Sequence, residues 1–85
     1  MTPDQRKMAR HALGLTEGRR KSYRNRYVAG IGTDAEERWD DLVRRGLAQR
    51  DGGRFRLTEE GARAALNNGE KLDPEDFPEE PNAED

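Results

Sequence analysis

Residues 19–27 read Arg-Arg-Lys-Ser-Tyr-Arg-Asn-Arg-Tyr. Arg19, Arg20, Lys21, Arg24 and Arg26 place five positive charges within eight residues, with Tyr23 and Tyr27 interleaved. A guanidinium matches the oxygens of a phosphate, and a tyrosine ring can stack on a base or anchor an amphipathic contact. Three readings fit this stretch. It can hold nucleic acid or another polyanion, dock an acidic segment of the same chain, or be a solvated structural stretch whose two tyrosines join a core. Arg50, Arg54 and Arg56 form a second basic group around Asp51-Gly52-Gly53. Charge there serves either a phosphate contact or protection of an edge strand.

The other chemistry-bearing residues point away from catalysis. The pairs Glu36/Glu37, Asp40/Asp41 and Glu59/Glu60 fall where first turns and exposed helix faces carry acid in any case. His11 is the single histidine, and the chain has no cysteine. A lone histidine without thiolates or a matching carboxylate set makes no metal site, so a half-buried structural role is expected. Gly30-Ile31-Gly32 lacks the spacing and trailing Lys-Ser/Thr of a phosphate loop. Ser22 has no histidine beside it in a triad-like pattern. A non-enzymatic protein without metal or cofactor is the expectation.

Charge is distributed unevenly. Residues 1–66 carry fifteen lysines and arginines against ten acidic residues, whereas residues 67–85 carry one against eight. A basic body followed by an acidic tail describes the chain better than its net charge of −2. At 40% charged and 31% hydrophobic, its core is thin. Such a core roughly offsets ordering entropy and favours help from a partner or a second copy. No apolar run reaches the length of a membrane span or signal segment, and a chain without cysteine fits a reducing compartment. Cytoplasmic localisation follows as the expectation.

The elements that must position these residues begin with Thr2-Pro3-Asp4-Gln5, a capping box with proline at the first helical position. The stripe Met8, Ala9, Ala12, Leu13 and the stop Gly14-Leu15 predict a helix over about 3–13. Residues 19–27 remain open between helix, strand and loop, because tyrosines four apart share a face in either periodic structure. Thr33 with Glu36 predicts a second capping box. Ala35, Trp39, Leu42 and Val43 predict a helix over about 34–45, and Gly46-Leu47 a Schellman stop. Leu47–Arg50 and Arg54–Leu57 predict two strands around Asp51-Gly52-Gly53. Thr58 caps a last helix over about 59–67, with Trp39 expected at the core centre against Phe55 and Leu66. Residues 70–85, rich in acid and proline, are expected to be disordered, leaving 2–69 as the domain.

Helix, Gly46-Leu47-Ala48-Gln49-Arg50, Asp-Gly turn, then Phe55-Arg56-Leu57-Thr58-Glu59-Glu60-Gly61 resembles the back half of a winged-helix domain. That resemblance implies an α+β fold of three helices and a two-stranded wing, with the wing arginines Arg54 and Arg56 near nucleic acid. The helix that would read DNA exposes Glu36, Glu37, Asp40 and Asp41, so residues 19–27 become the working surface. Arg10–Leu15, the word Lys21-Ser22-Tyr23-Arg24-Asn25-Arg26, the Trp-containing helix and Phe-x-Leu-Thr-x-x-Gly are similar to a set of small phage and prophage proteins. This implies a viral or prophage origin, hence a host cytoplasm, and brings no activity with it. The function expected is nucleic-acid binding or regulation. It would use Arg19, Arg20, Lys21, Tyr23, Arg24, Arg26 and Tyr27 with Arg54 and Arg56. The alternative is an adaptor that binds a host or phage protein.

Overall fold

The computed structural model describes residues 1–16 and 18–77, so Glu17 and residues 78–85 of the expected tail lie outside the described residues. The elements run α1 (Pro3–Leu13), β1 (Tyr27–Val28), α2 (Asp34–Arg44), β2 (Ala48–Asp51), β3 (Arg54–Leu57) and α3 (Glu59–Ala64). The α+β class stands, but the sheet has three antiparallel strands in the order β1-β3-β2, where two were expected.

Local chemistry accounts for the ends of each element. Thr2 and Gln5 form the reciprocal capping box of α1. Gly14 takes a left-handed φ of 78°, which lets the Leu15 amide reach the Arg10 carbonyl at 2.9 Å. At α2, Thr33 accepts from the Glu36 amide, but Glu36 does not close the box. Its carboxylate accepts from the Gly32 amide at 2.8 Å and pairs with Arg50. The stop at Gly46 is a Schellman motif, with Leu47 donating to Leu42.

That stop also shifts β2 by one residue. The Leu47 amide is committed to α2, so the strand starts at Ala48, and Asp51 pairs with Arg54 across a two-residue Gly52-Gly53 turn. The last helix ends at Ala64 rather than near 67. Arginines of α1 take its terminal carbonyls: Arg10 bonds the Ala65 oxygen and Arg6 the Leu66 oxygen. The chain there tightens into i→i+3 bonds.

The core joins the inner faces of the helices to one face of the sheet. Trp39, Phe55, Leu13 and Leu42 are fully buried, with Ala9, Ala12, Leu57, Ala62 and Ala65 around them. Trp39 stacks on Phe55 with ring centroids 5.4 Å apart, and Leu66 packs at the margin of the cluster. Buried Gln5 ties α1 to α2 by donating to the Arg38 carbonyl and the Asp41 carboxylate. That bond, ahead of the pull of Arg45 and Arg44, holds the Asp41 carboxyl below its ordinary range.

Residues 70–77, expected in the tail, lie against the domain. Glu70 makes a two-pronged pair with Arg10 at 2.6 and 2.7 Å. Lys71 bridges Lys21 through the backbone, Ser22 Oγ accepts from the Asp73 amide, and Leu72 and Phe77 pack on the core. Their acid and proline content hides these specific pairings. Among the described residues, no helix is long and apolar enough to cross a membrane.

Candidate nucleic-acid interface

The basic stretch crosses the C-terminal end of α1, and that crossing decides its conformation. The last carbonyls of a helix have no partners within it. Here the Tyr23 amide donates to Leu13, the Arg26 amide to Ala12, and the Arg24 guanidinium to the His11 carbonyl at 2.7 Å. A cation there also suits the helix dipole. Residues 19–26 are therefore a loop, bridged to Lys71 at Lys21, which becomes a strand at Tyr27.

The strand pairs Tyr27 with Phe55 and Val28 with Arg54. The Ala29 amide continues the register by bonding the Gly53 carbonyl at 2.9 Å. At the other end the Asn25 side chain replaces a main-chain pair. Its amide nitrogen donates to the Leu57 carbonyl at 3.0 Å and its oxygen accepts from the Leu57 amide at 2.8 Å. This register sets Arg26 opposite Arg56, on the same outer sheet face as Arg54.

Arg24, Arg26 and Arg54 line a concavity of about 410 Å³ with His11, Tyr27 and Val28. Arg26, Arg54 and Arg56 line a neighbouring one of about 460 Å³ with Asn25, Gln49 and Asp51. The structure thus brings four of the expected arginines onto one surface. Arg19 joins through Tyr23, with guanidinium carbons 4.4 Å (Arg19) and 5.3 Å (Arg24) from the ring centroid. Tyr23 is half exposed and its ring lies against Gly14, where any Cβ would collide with it. Tyr27 is half buried, 5.2 Å from Trp39 and 5.7 Å from His11, so the two tyrosines do not share a face. Arg20 and Lys21 line neither concavity; the backbone of their segment is joined to Lys71.

Ion pairing separates the arginines into two classes. Arg10, Arg38, Arg44, Arg45, Arg50 and Arg63 each pair with a carboxylate. Arg50, the third basic residue of the hairpin, bonds Asp40 and Glu36 and lies over Phe55, so it ties the sheet to α2. The Asp40 bond first, then Glu36, raises its pKa. Among the described residues, no carboxylate oxygen lies within 4.0 Å of a side-chain nitrogen of Arg19, Arg20, Lys21, Arg24, Arg26, Arg54 or Arg56.

Three residues of this surface escaped the sequence reading. Asn25 carries no signal until the register is known. Val28, 71% exposed, reads in the sequence as a loop or a short extended piece and carries no sign of a surface role. His11 is exposed rather than half buried, because α1 turns Ala9, Ala12 and Leu13 to the core and leaves residue 11 on the flank facing Tyr27. Among the described residues there is no group of three or more metal-ligating side chains. No family model matches the chain, and neither a curated protein nor a solved structure matches it.

Proposed function

We propose that this protein binds nucleic acid without catalysis, through the outer face of the sheet and the loop that leads into it. The observation that carries this reading is the convergence of Arg24, Arg26, Arg54 and Arg56 without carboxylate partners among the described residues. Like charges opposite one another on a sheet destabilise it. A string of phosphates laid along the face removes that cost. Tyr23 holds Arg19 and Arg24 in place at one end.

The winged-helix reading of the fold belongs to the same proposal. It is supported by the order α2, hairpin, α3 and by Thr58 capping the helix that follows the wing. In this version α2 stays off the phosphates. Its flank facing the sheet is committed to Arg50 through Glu36 and Asp40, and the outer sheet face does the binding.

Fluorescence-anisotropy titrations over a salt series test the reading. If Arg19, Arg24, Arg26, Arg54 and Arg56 each neutralise one phosphate, log affinity falls against log salt with a slope of about −4.5 on duplex DNA and about −3.5 on a single strand. Replacing Arg26 and Arg54 together by alanine lowers the duplex slope by about 1.8. A salt-independent affinity, or no binding to either form at low salt, overturns it.

A further inference from the structure

The concavity of about 410 Å³ beside β1 has walls of two kinds. Arg24, Arg26 and Arg54 supply positive charge. His11, Tyr27 and Val28 supply aromatic and apolar surface, Val28 on the outer sheet face with Arg54 and Tyr27 on the face of Phe55. A bare anion has use for the first wall only. A duplex offers phosphate, sugar and base edges to a surface but keeps the faces of its bases stacked inside, so it brings no base face to the second wall. A flat base joined to a phosphate uses both.

We propose that this concavity is a subsite for one unpaired nucleotide, so that the nucleic acid this protein takes is single-stranded. The base lies against Tyr27, His11 and Val28, and its flanking phosphates rest on Arg26 and Arg54. The inference rests on the nucleic-acid reading above and narrows it.

Three features support the assignment. The volume falls in the range of sites for small ligands. Single strands are recognised by aromatic side chains and guanidinium planes that take unstacked bases. The Tyr27 ring lies 5.2 Å from Trp39 and meets His11 in an edge-on contact at 5.7 Å, so its neighbours hold it before a ligand arrives. Val28, opposite Arg54 on the outer face, is exposed apolar surface that a base would cover.

His11 is the only histidine, so its ring Cε1–H signal is unambiguous. Nuclear magnetic resonance on the full chain follows that signal and the Val28 methyls during three titrations. The probes are a ten-nucleotide thymidine strand, a duplex of the same length, and inorganic phosphate at matched ionic strength. The single strand is expected to move both residues and to bind at least about fivefold tighter than the duplex, in line with the worth of one stacked base. The variants His11→Ala and Val28→Ser, both at exposed positions, are expected to weaken the single strand about fivefold more than the duplex.

Equal shifts and equal losses with the duplex overturn the subsite. So does phosphate alone producing the full shift, which leaves an anion site. Binding of both DNA forms without movement of His11 and Val28 overturns the subsite and leaves the cationic face standing. Failure of both forms to bind removes the nucleic-acid reading with it.

Discussion

At the scale of single residues, what each arginine does follows from its nearest carboxylate. Arg50 and Arg54 flank the same turn, yet Arg50 is enclosed by Asp40, Glu36 and the Phe55 ring, while Arg54 faces outward with Arg26. Their identity is the same, and strand alternation sends one to each face. The glycines divide in a similar way. Gly61 is required by close approach: a Cβ there would overlap the Leu47 carbonyl oxygen and stand 2.8 Å from its carbon. Leu47 cannot retreat, because its amide is bonded to Leu42 and its oxygen to the Thr58 amide. Gly61→Ala is therefore expected to cost at least about 2 kcal/mol, measured by urea unfolding, as overpacking against backbone does. A change within about 0.5 kcal/mol, the range of ordinary surface substitutions, contradicts this account.

At the scale of elements, β1 is the piece that makes the surface. It is two residues long, and three attachments stabilise it: the Asn25 amide on Leu57, the Arg26 amide on Ala12, and the Ala29 amide on Gly53. Removing the first leaves both main-chain groups of buried Leu57 without that partner. Asn25→Ala is expected to lower stability by about 1–3 kcal/mol and to speed hydrogen exchange at the Leu57 amide. Asn25→Asp keeps an acceptor for that amide but cannot donate to the Leu57 carbonyl, so its loss should fall between the two. If Leu57 exchange is unchanged in Asn25→Ala, the side-chain pairing does not hold the strand. The element also explains why residues 19–27 were ambiguous in sequence. Tyrosines four apart suit a helix or a strand, and the choice depended on unsatisfied carbonyls of α1, which no local pattern reports.

At the scale of the whole molecule, the chain is closed by its C-terminal part. Glu70 and Arg10, each largely buried in its side chain, join the segment 70–77 to α1. The Arg10 hydrogen bond is the largest cause, with the Asn67 amide adding to it, that pulls the Glu70 carboxyl from 4.5 down to about 2. Folding thus lowers this pKa. Between those two values the unfolded chain binds the extra proton, so the contribution is complete above about pH 5 and drains away as pH falls toward 2. Melting curves of the parent and Glu70→Gln should differ by about 1–2 kcal/mol at pH 7 and converge as pH falls toward 2. A gap that persists at low pH would assign the loss to packing instead. A truncation meant to remove acid from competition with DNA belongs after Phe77. A cut at Gly69 also removes Glu70 from Arg10 and Asp73 from Ser22.

The sequence by itself determined the elements whose causes are local. Thr2, Thr33 and Thr58 start helices, Gly14 and Gly46 stop them, and Gly52 with Gly53 turns the hairpin, because capping and positive φ act within a few residues. The core was legible for the same reason: Trp39, Leu42, Phe55 and Leu57 follow the helix and strand periods. The basic stretch and the wing arginines were also visible as separate groups. Only the tertiary structure decided that they are one surface. That depended on β1 pairing with β3 and on the Asn25 amide completing the register, both contacts between residues about thirty apart in the chain. It also decided which cations are spent on carboxylates and which are left open, and it brought His11 and Val28 beside Tyr27. Long-range pairing of this kind has no local period and no composition of its own, so a single sequence does not display it.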